Sequence, residues 1–236
     1  MSNNFASIQE ACENLPSSKE SEIEFLSWFN GAKSVDESIS SGYTDMMYRI
    51  LTSDLLEKIG DPSQENCCEI GFGSGRLLLP ATFIFKHAYG IDIHQEFDRV
   101  SKRIKKYNRD NFSLVHSKDS NSVIPDNSIK FFYSFITFQH FENWEVAESY
   151  LNLIEKKMCS GGYGIIFFGH YPYEDVDFYV QNHQTYDDFP MTLYVSKSFA
   201  KKELSKRFEV LELGVTTKRP WLSNPSRQFY VKIKKR

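Results

Sequence analysis

The run Glu69-Ile70-Gly71-Phe72-Gly73-Ser74-Gly75-Arg76 sets glycines at alternate positions directly behind a carboxylate. Glycines so spaced let a backbone turn tightly and approach a ligand closely. A dinucleotide pyrophosphate would want a bare helix N-terminus after such a turn, and an anion beside it would repel it. Here Glu69 precedes the loop, and Arg76 stands where the dinucleotide pattern needs its third glycine. The carboxylate suits a cation instead, an ammonium or a sulfonium. Asp92, in Gly90-Ile91-Asp92-Ile93, is a second acid, able to accept both hydroxyls of a ribose. Ile93 beside it offers an apolar face to an adenine. Asp119, in Ser117-Lys118-Asp119-Ser120, could accept from the adenine amino group.

These residues need a scaffold that brings strand ends together. An apolar stretch at 66–70 precedes the glycine loop, and a helical stretch at about 74–87 follows it. Strands are predicted at 88–93 and 112–116, with a basic helix at 95–107 between them. A turn at Asp126-Asn127-Ser128 leads into a long aromatic and β-branched strand at 129–138. A well-patterned helix follows at 144–158, closed by Ser160-Gly161-Gly162, and then a strand at 163–169. Strands alternating with helices at this spacing imply right-handed crossovers and a mostly parallel, doubly wound α/β sheet covered on both faces. The adjacent Cys67 and Cys68 would then point to opposite faces of their strand. Beyond 195 the pattern changes to a helix at 198–207 and strands at 208–216 and 228–232. The last two are joined by a Pro-rich loop at 219–225 and are expected to be antiparallel.

The N-terminal part reads as a small helical cap over residues 1–60, and 61–236 as the main domain. The first 18 residues are polar and expected to be loose. A short apolar stripe at 21–29 stops at Gly31, 32–42 reads as a loop, and a helix spans 44–59.

Composition bounds the class. The chain has 236 residues, 41% of them apolar, with 20 Phe and 13 Tyr, enough for a packed aromatic core without disulfides or metal. Lys plus Arg number 28 against 31 Asp plus Glu. That balance excludes a disordered chain and argues against a dedicated nucleic-acid module. Cysteine and histidine spacing suggests no metal site. With no long apolar stretch and no apolar leader, the expectation is a cytoplasmic protein that does not touch a membrane.

Glu69 to Arg76, Asp92, Asp119, the Pro125-Asp126-Asn127-Ser128-Ile129 turn and the Cys159-Ser160-Gly161-Gly162-Tyr163-Gly164 turn together resemble the class I S-adenosylmethionine-dependent methyltransferases, over about 64–232. Phe138-Gln139-His140-Phe141 resembles a variant found in members that act on small molecules. Two positions depart from the pattern. Phe72 replaces a small loop residue, and Lys130 replaces an aspartate at the start of the fourth strand.

The resemblance implies a seven-stranded sheet whose last strand is antiparallel, and S-adenosylmethionine as cofactor, with S-adenosylhomocysteine as product. It implies that Glu69 holds the methionine amino group and that Gly71, Gly73 and Gly75 pass beneath methionine and ribose. Asp92 would bind the ribose and Ile93 would flank the adenine. Asp119 and Ser120 would bind the adenine edge, and Ser134 and Phe135 would line the methyl side.

Methyl transfer requires the acceptor to be held about 3 Å from the methyl and in line with the breaking bond. A general base is needed only when the acceptor must lose a proton early. His140 is the first candidate, since an ordinary imidazole titrates near neutrality. The competing reading makes it a packing residue between two phenylalanines. His170 and Tyr171 come second; Glu142 and His183 rank lower. The sequence lacks an Asn/Asp-Pro-Pro-Tyr motif and a Pro-Cys nucleophile, which disfavours base methylation and points to a small-molecule acceptor at oxygen or nitrogen. An aromatic and acidic insert at about 170–195 contains Tyr171, Tyr173, Phe178, Tyr179, Tyr186 and Phe189 with Asp175, Asp177, Asp187 and Asp188. It reads either as a lid or as a packing subdomain. Trp28, Phe29 and Tyr43 could close the same site. Two rival readings remain: a methyltransferase-like partner subunit without turnover, and a dinucleotide-dependent oxidoreductase.

Overall fold

The computed structural model describes residues 8–171, 179–180, 192–215 and 228–236. Five parallel strands form the centre: β1 (Asn66–Ile70), β2 (His87–Asp92), β3 (Phe112–His116), β4 (Ile129–Ser134) and β5 (Met158–His170), in the order β3-β2-β1-β4-β5. The reversal of strand order between β1 and β4 opens a crevice at their carboxyl ends, where open α/β sheets bind ligands.

Among the described residues the sheet has nine strands, where seven were expected. β8 (Phe208–Val215) and β9 (Gln228–Lys235) form the antiparallel pair, with β9 against β5. The two additional strands are a two-residue hairpin, β6 (Tyr179–Val180) with β7 (Tyr194–Val195). Gly169 faces both Gln228 of β9 and Tyr194 of β7, so β7 extends the sheet beyond the end of β4. The insert supplies these strands; its residues 172–178 and 181–191, which include Tyr173, Asp175, Asp177, Phe178, His183, Tyr186, Asp187, Asp188 and Phe189, lie outside the described residues. So does the 219–225 loop.

Strict alternation builds the two faces. Phe131, Tyr133, Ile165 and Phe167 enter one buried cluster, and Phe132, Ile166 and Phe168 the other. Cys67 and Cys68 divide the same way, as their adjacency predicts. α8 (Trp144–Lys157) and α9 (Lys197–Leu204) cover one face. α5 (Leu78–Ile84) and α6 (Phe97–Lys105) cover the other, together with the N-terminal helices.

The N-terminal segment is more ordered than its composition suggests. α1 (Ile8–Asn14) and a 3₁₀ turn (Leu15–Ser18) occupy part of the stretch expected to be loose. α2 (Glu22–Asn30) starts at a capping box, in which Ser21 Oγ accepts from the Glu24 amide and Glu24 Oε2 accepts from the Ser21 amide. Gly31, with φ of 66°, ends it as expected.

The expected loop at 32–42 is instead α3 (Val35–Asp45), capped by Ser34. Its serines and glycine read as loop, but Gly42 lets the helix lie on the glycine loop. A Cβ there would meet the Arg76 carbonyl oxygen at 2.1 Å. The expected helix at 44–59 is not continuous. A π-helical turn (Met46–Ile50) prolongs α3, the chain breaks at Leu51-Thr52, and α4 (Ser53–Ile59) follows. Phe25, Leu26, Met46, Ile50 and Leu55 join the same buried cluster as Phe131 and Phe167, so the N-terminal helices share the sheet's core.

Three local expectations shift. The helix after the glycine loop begins at Leu78, not about 74, because the loop's turn uses the first residues. β4 stops at Ser134, not 138, because Ile136 takes a left-handed φ of 67°. Gly161 does not close α8. The helix ends at Lys157, and Gly161 lies within β5 at φ 66°, beside a register shift between Ile129 and Phe131. α7 (Ser120–Val123) completes the described helices.

Candidate functional site

A cavity of about 440 Å³ opens at the carboxyl ends of β1, β2 and β4. Of the predicted site residues, Glu69, Gly71, Gly73, Asp92, Ile93, Ser120, Phe135 and His140 line it. Gly75, Asp119, Ser134 and His170 do not. Gly75, at φ 76°, is required by packing, since a Cβ would meet Val100 Cγ1 at 2.6 Å. The Asp119 side chain is exposed to solvent. Ser134 is fully buried, and its hydroxyl donates to the Ile70 carbonyl at 2.9 Å, tying β4 to β1. His170 packs edge-on to Phe229 at the end of β5.

The glycine loop leaves β1 with left-handed φ at Gly71 (77°) and Gly73 (49°). A side chain is excluded at both. A Cβ at Gly71 would strike Thr137 Oγ1 at 2.1 Å, and one at Gly73 would strike Phe29 Cδ1 at 2.7 Å. The bulky Phe72 fits because it lies over Gly90 of β2, where a Cβ would come within 2.9 Å of its ring.

Asp92 is anchored by two backbone amides. Gly73 N–H donates to Oδ2 and Ile93 N–H to Oδ1, each at 2.7 Å. The carboxylate is half-buried, lines the cavity, and has acceptor capacity beyond these two bonds. That arrangement fits a ribose diol, with Ile93 as the neighbouring apolar wall.

Glu69 is 2% exposed and accepts from the Tyr133 hydroxyl at 3.3 Å. Burial pushes its carboxyl up to about 8, against the opposing pull of Arg76 and Tyr133. A buried acid held this close to neutrality is poised to ionise against an incoming ammonium. Glu69, the glycine loop and Asp92 together fit the amino, backbone and ribose parts of the implied cofactor.

Arg76 is not a cofactor ligand by sequence pattern, and the structure gives it another task. Its Nη1 lies 2.5 Å from Asp45 Oδ2, and its guanidinium sits 5.6 Å from the Phe135 ring centroid. Arg49 also pairs with Asp45, at 3.3 Å, and lies 5.6 Å from the same ring. Arg49 follows Asp45 by four residues, the spacing at which side chains on a helix meet.

At the other end, His140 ends a 3₁₀ turn (Phe138–His140), with its amide on the Thr137 carbonyl at 2.9 Å. Its Nε2 lies 3.0 Å from Gln139 Nε2, and Gln139 Oε1 accepts from Gln228 Nε2 at 2.8 Å. Phe141 and Glu142 line the wall beside it. Tyr150 stacks on Phe141 at 4.9 Å; burial raises its hydroxyl to about 12, against a hydrogen bond with Ser117.

Several lining residues carried no sequence signal as a group: Gln9, Cys12 and Asn30 from the N-terminal helices, Thr137, and Tyr150 and Leu153 from α8. Trp28 and Phe29, of the three residues expected near the site, line the cavity. Tyr43 instead pairs with Phe83 on the outer surface, and Tyr179 packs on Trp144 and Phe199. Among the described residues no helix is long and apolar enough to cross a membrane, and no group of three acidic, His or Cys side chains is placed to hold a metal.

Residues 68–166 match the methyltransferase domain family. A search of curated proteins gives no match. Solved structures share the fold. An S-adenosylmethionine-dependent methyltransferase from Aquifex aeolicus is 14% identical, with 84% of this chain and 98% of that chain covered and a TM-score of 0.56. The magnesium protoporphyrin IX methyltransferase of Synechocystis PCC 6803, with bound S-adenosylhomocysteine, is 12% identical over 97% of this chain and 98% of that chain, at 0.63. An N-methyltransferase from Haemonchus contortus, in complex with phosphomonomethylethanolamine and S-adenosylhomocysteine, is 12% identical over 91% of this chain and 60% of that one, at 0.58. Residues 68–166 thus carry a methyltransferase domain, and the strand order, with the cavity at the β1–β4 switch, is the fold that this chain shares with S-adenosylmethionine-dependent methyltransferases.

Proposed function

We propose that this protein is an S-adenosylmethionine-dependent methyltransferase that acts on a small-molecule acceptor, at oxygen or nitrogen, in the part of the cavity bounded by Trp28, Phe29, Phe135, Phe141 and His140. The observation that carries this reading is the continuity of that aromatic end with Glu69 and Asp92 in one cavity of about 440 Å³. Aromatic walls with a few polar groups are the usual lining of small-molecule sites. The Synechocystis and Haemonchus neighbours, by their names, act on or hold small molecules, which supports the same class here.

In this reading the Glu69 carboxylate holds the methionine ammonium, and the loop from Gly71 to Gly73 lies beneath the methionine and ribose. Asp92 accepts the ribose hydroxyls, Ile93 flanks the adenine, and Ser120 borders its edge. The bound cofactor supplies an electrophilic methyl carbon. The protein's part is then to align the acceptor and exclude water. Phe135, flanked by two guanidiniums, forms a fixed wall for that alignment. His140 takes the acceptor's proton at Nε2. Gln139 donates to that nitrogen here, which leaves the ring proton on Nδ1, so an acceptor hydroxyl must displace the amide.

The test is transfer of labelled methyl to a panel of small phenols, carboxylic acids and amines, with RNA and protein fractions alongside. Label should appear in a small product. His140→Ala should then lower kcat about 10²-fold or more, with S-adenosylhomocysteine affinity unchanged. Label confined to macromolecules would overturn the acceptor class; an unchanged kcat would remove His140 as base.

A further inference from the structure

The residue after Ile93 has no role in the reading above, yet the cofactor loop is built around it. His94 is fully buried. Its Nδ1 accepts from the Glu96 amide at 3.0 Å, which leaves the ring proton on Nε2. That Nε2–H donates to the Gly73 carbonyl at 2.9 Å. The Gly73 amide, on the other side of the same residue, donates to Asp92 Oδ2 at 2.7 Å. Both backbone polar groups of Gly73 are therefore held by the end of β2, the amide by Asp92 and the carbonyl by His94. Nε2 is also 3.9 Å from Asp92 Oδ2, so the ring, the carboxylate and the loop glycine form one compact set.

The ring cannot swing away. Phe25, Phe29, Phe72 and Phe97 surround it at centroid distances of 6.4, 5.3, 5.0 and 5.4 Å. Phe72 is the residue that departs from the small-residue pattern of the loop, and it packs on both His94 and Phe97, the latter at 5.1 Å. Phe25 and Phe29 come from α2, and Phe29 is the atom wall that forbids a side chain at Gly73. The apolar box keeps water from the ring's two hydrogen bonds, which strengthens each.

We infer that His94 is a positioning residue for cofactor binding: it fixes the Gly73 peptide, and through it the Asp92 carboxylate, before the cofactor arrives, and its aromatic box ties that geometry to the docking of α2. It touches no lining surface of the cavity itself. Preorganised hydrogen-bond groups bind more tightly because no ordering remains to be done at the moment of binding. The inference rests on the reading of Asp92 as the ribose acceptor.

Two substitutions separate the ring's two bonds. His94→Gln keeps a donor at the reach of Nε2 and can still bond the Gly73 carbonyl. His94→Asn keeps an acceptor near Nδ1 for the Glu96 amide but is too short to reach Gly73. Binding of S-adenosylhomocysteine and of adenosine is measured by calorimetry for both, with thermal unfolding to establish the folded fraction. The expected result is an S-adenosylhomocysteine Kd within about threefold of wild type for His94→Gln and raised at least about tenfold for His94→Asn, a factor worth about 1.4 kcal/mol. Adenosine should lose the same factor as S-adenosylhomocysteine, because the effect is on the ribose end; Glu69→Gln should weaken S-adenosylhomocysteine and spare adenosine. With labelled methyl transfer, His94→Asn should raise KM for the cofactor and leave kcat at saturation within about twofold. A merely structural role would move both variants alike, and equal affinities for His94→Gln and His94→Asn, or a loss seen with S-adenosylhomocysteine and not with adenosine, overturn the inference. Asp92→Ala is the separate control. If it binds adenosine as wild type does, the ribose reading has failed and the inference falls with it; if it loses adenosine while the two His94 variants are equal, only the role of His94 has failed.

Discussion

Asp45 Oδ2 lies 2.5 Å from Arg76 Nη1, joining the last residue of α3 to the residue that ends the glycine loop. The pair is largely buried, at 4% and 12% side-chain exposure, and Arg49 approaches the same carboxylate. Removing the charge would strand guanidiniums beside the Phe135 ring. Breaking a buried pair costs about 3 kcal/mol or more, which in a domain of this size is a Tm drop of roughly 6–12 °C. Asp45→Asn should show this in a thermal melt, and should weaken S-adenosylhomocysteine binding by loosening the loop. A Tm within about 1 °C of wild type would show the pair to be dispensable.

Cofactor affinity should depend on pH through Glu69. Its carboxyl is raised from the ordinary range to about 8 by burial, so it is largely protonated at neutral pH in the free protein. Holding an ammonium requires the charged form. Affinity for S-adenosylhomocysteine should therefore climb from pH 6 towards 8, by up to about tenfold per unit, and binding should release protons. Calorimetry in buffers of different ionisation enthalpy reads that release directly. The stability linkage has the matching sign. An acid with a raised folded pKa favours folding fully below its ordinary pKa, and the contribution is lost as pH rises through about 8. Glu69→Gln should bind S-adenosylhomocysteine about 10–100-fold more weakly, without the climb between pH 6 and 8, and should be relatively more stable than wild type above pH 8. A wild-type affinity flat across that range would contradict the role given to Glu69.

Ile136 occupies a left-handed backbone region, φ 67°, where a β-branched residue is strained. It lines the cavity between Phe135 and Thr137. In ordinary extended backbone, glycine is less stable than alanine. Here the order should invert, with Ile136→Gly more stable than Ile136→Ala by about 1 kcal/mol. Urea denaturation of the two variants decides it; alanine ranking above glycine would mean the turn is not strained.

Ser134 separates a structural role from a binding one. Its hydroxyl is spent on the Ile70 carbonyl at 2.9 Å. Ser134→Ala should cost about 1–2 kcal/mol of stability by leaving a buried carbonyl without that donor. S-adenosylhomocysteine affinity should stay within twofold. A tenfold weaker Kd in a protein of wild-type stability would restore Ser134 to the cofactor site.

Where local pattern sufficed, the sequence read correctly. The strands at 66–70 and 112–116 coincide with β1 and β3, because short apolar runs bounded by turns have few other fates. The alternate glycines at 71, 73 and 75 all adopt positive φ, as residues without a Cβ can. Glu69 and Asp92 face one cavity because parallel strands end on one edge of a sheet. The reading that 129–138 is one strand failed on a single residue, Ile136, whose β propensity was overridden by a turn that tertiary contacts impose.

What the chain alone determined is thus the doubly wound fold, the glycine loop and the two acids that line the cavity beside it, all carried by patterns a few residues long. The tertiary structure decided the rest. Serines and a glycine at 35–45 look like loop until Gly42 is seen against the Arg76 carbonyl. Asp45 and Arg76 are 31 residues apart, and Asn30 and Ser74 are 44 apart, 3.2 Å between side-chain atoms. Local periodicity carries no record of such partners. His94 is hidden for the same reason. Its meaning lies in a glycine carbonyl 21 residues before it and in rings from α2 and α6, which only folding brings around it.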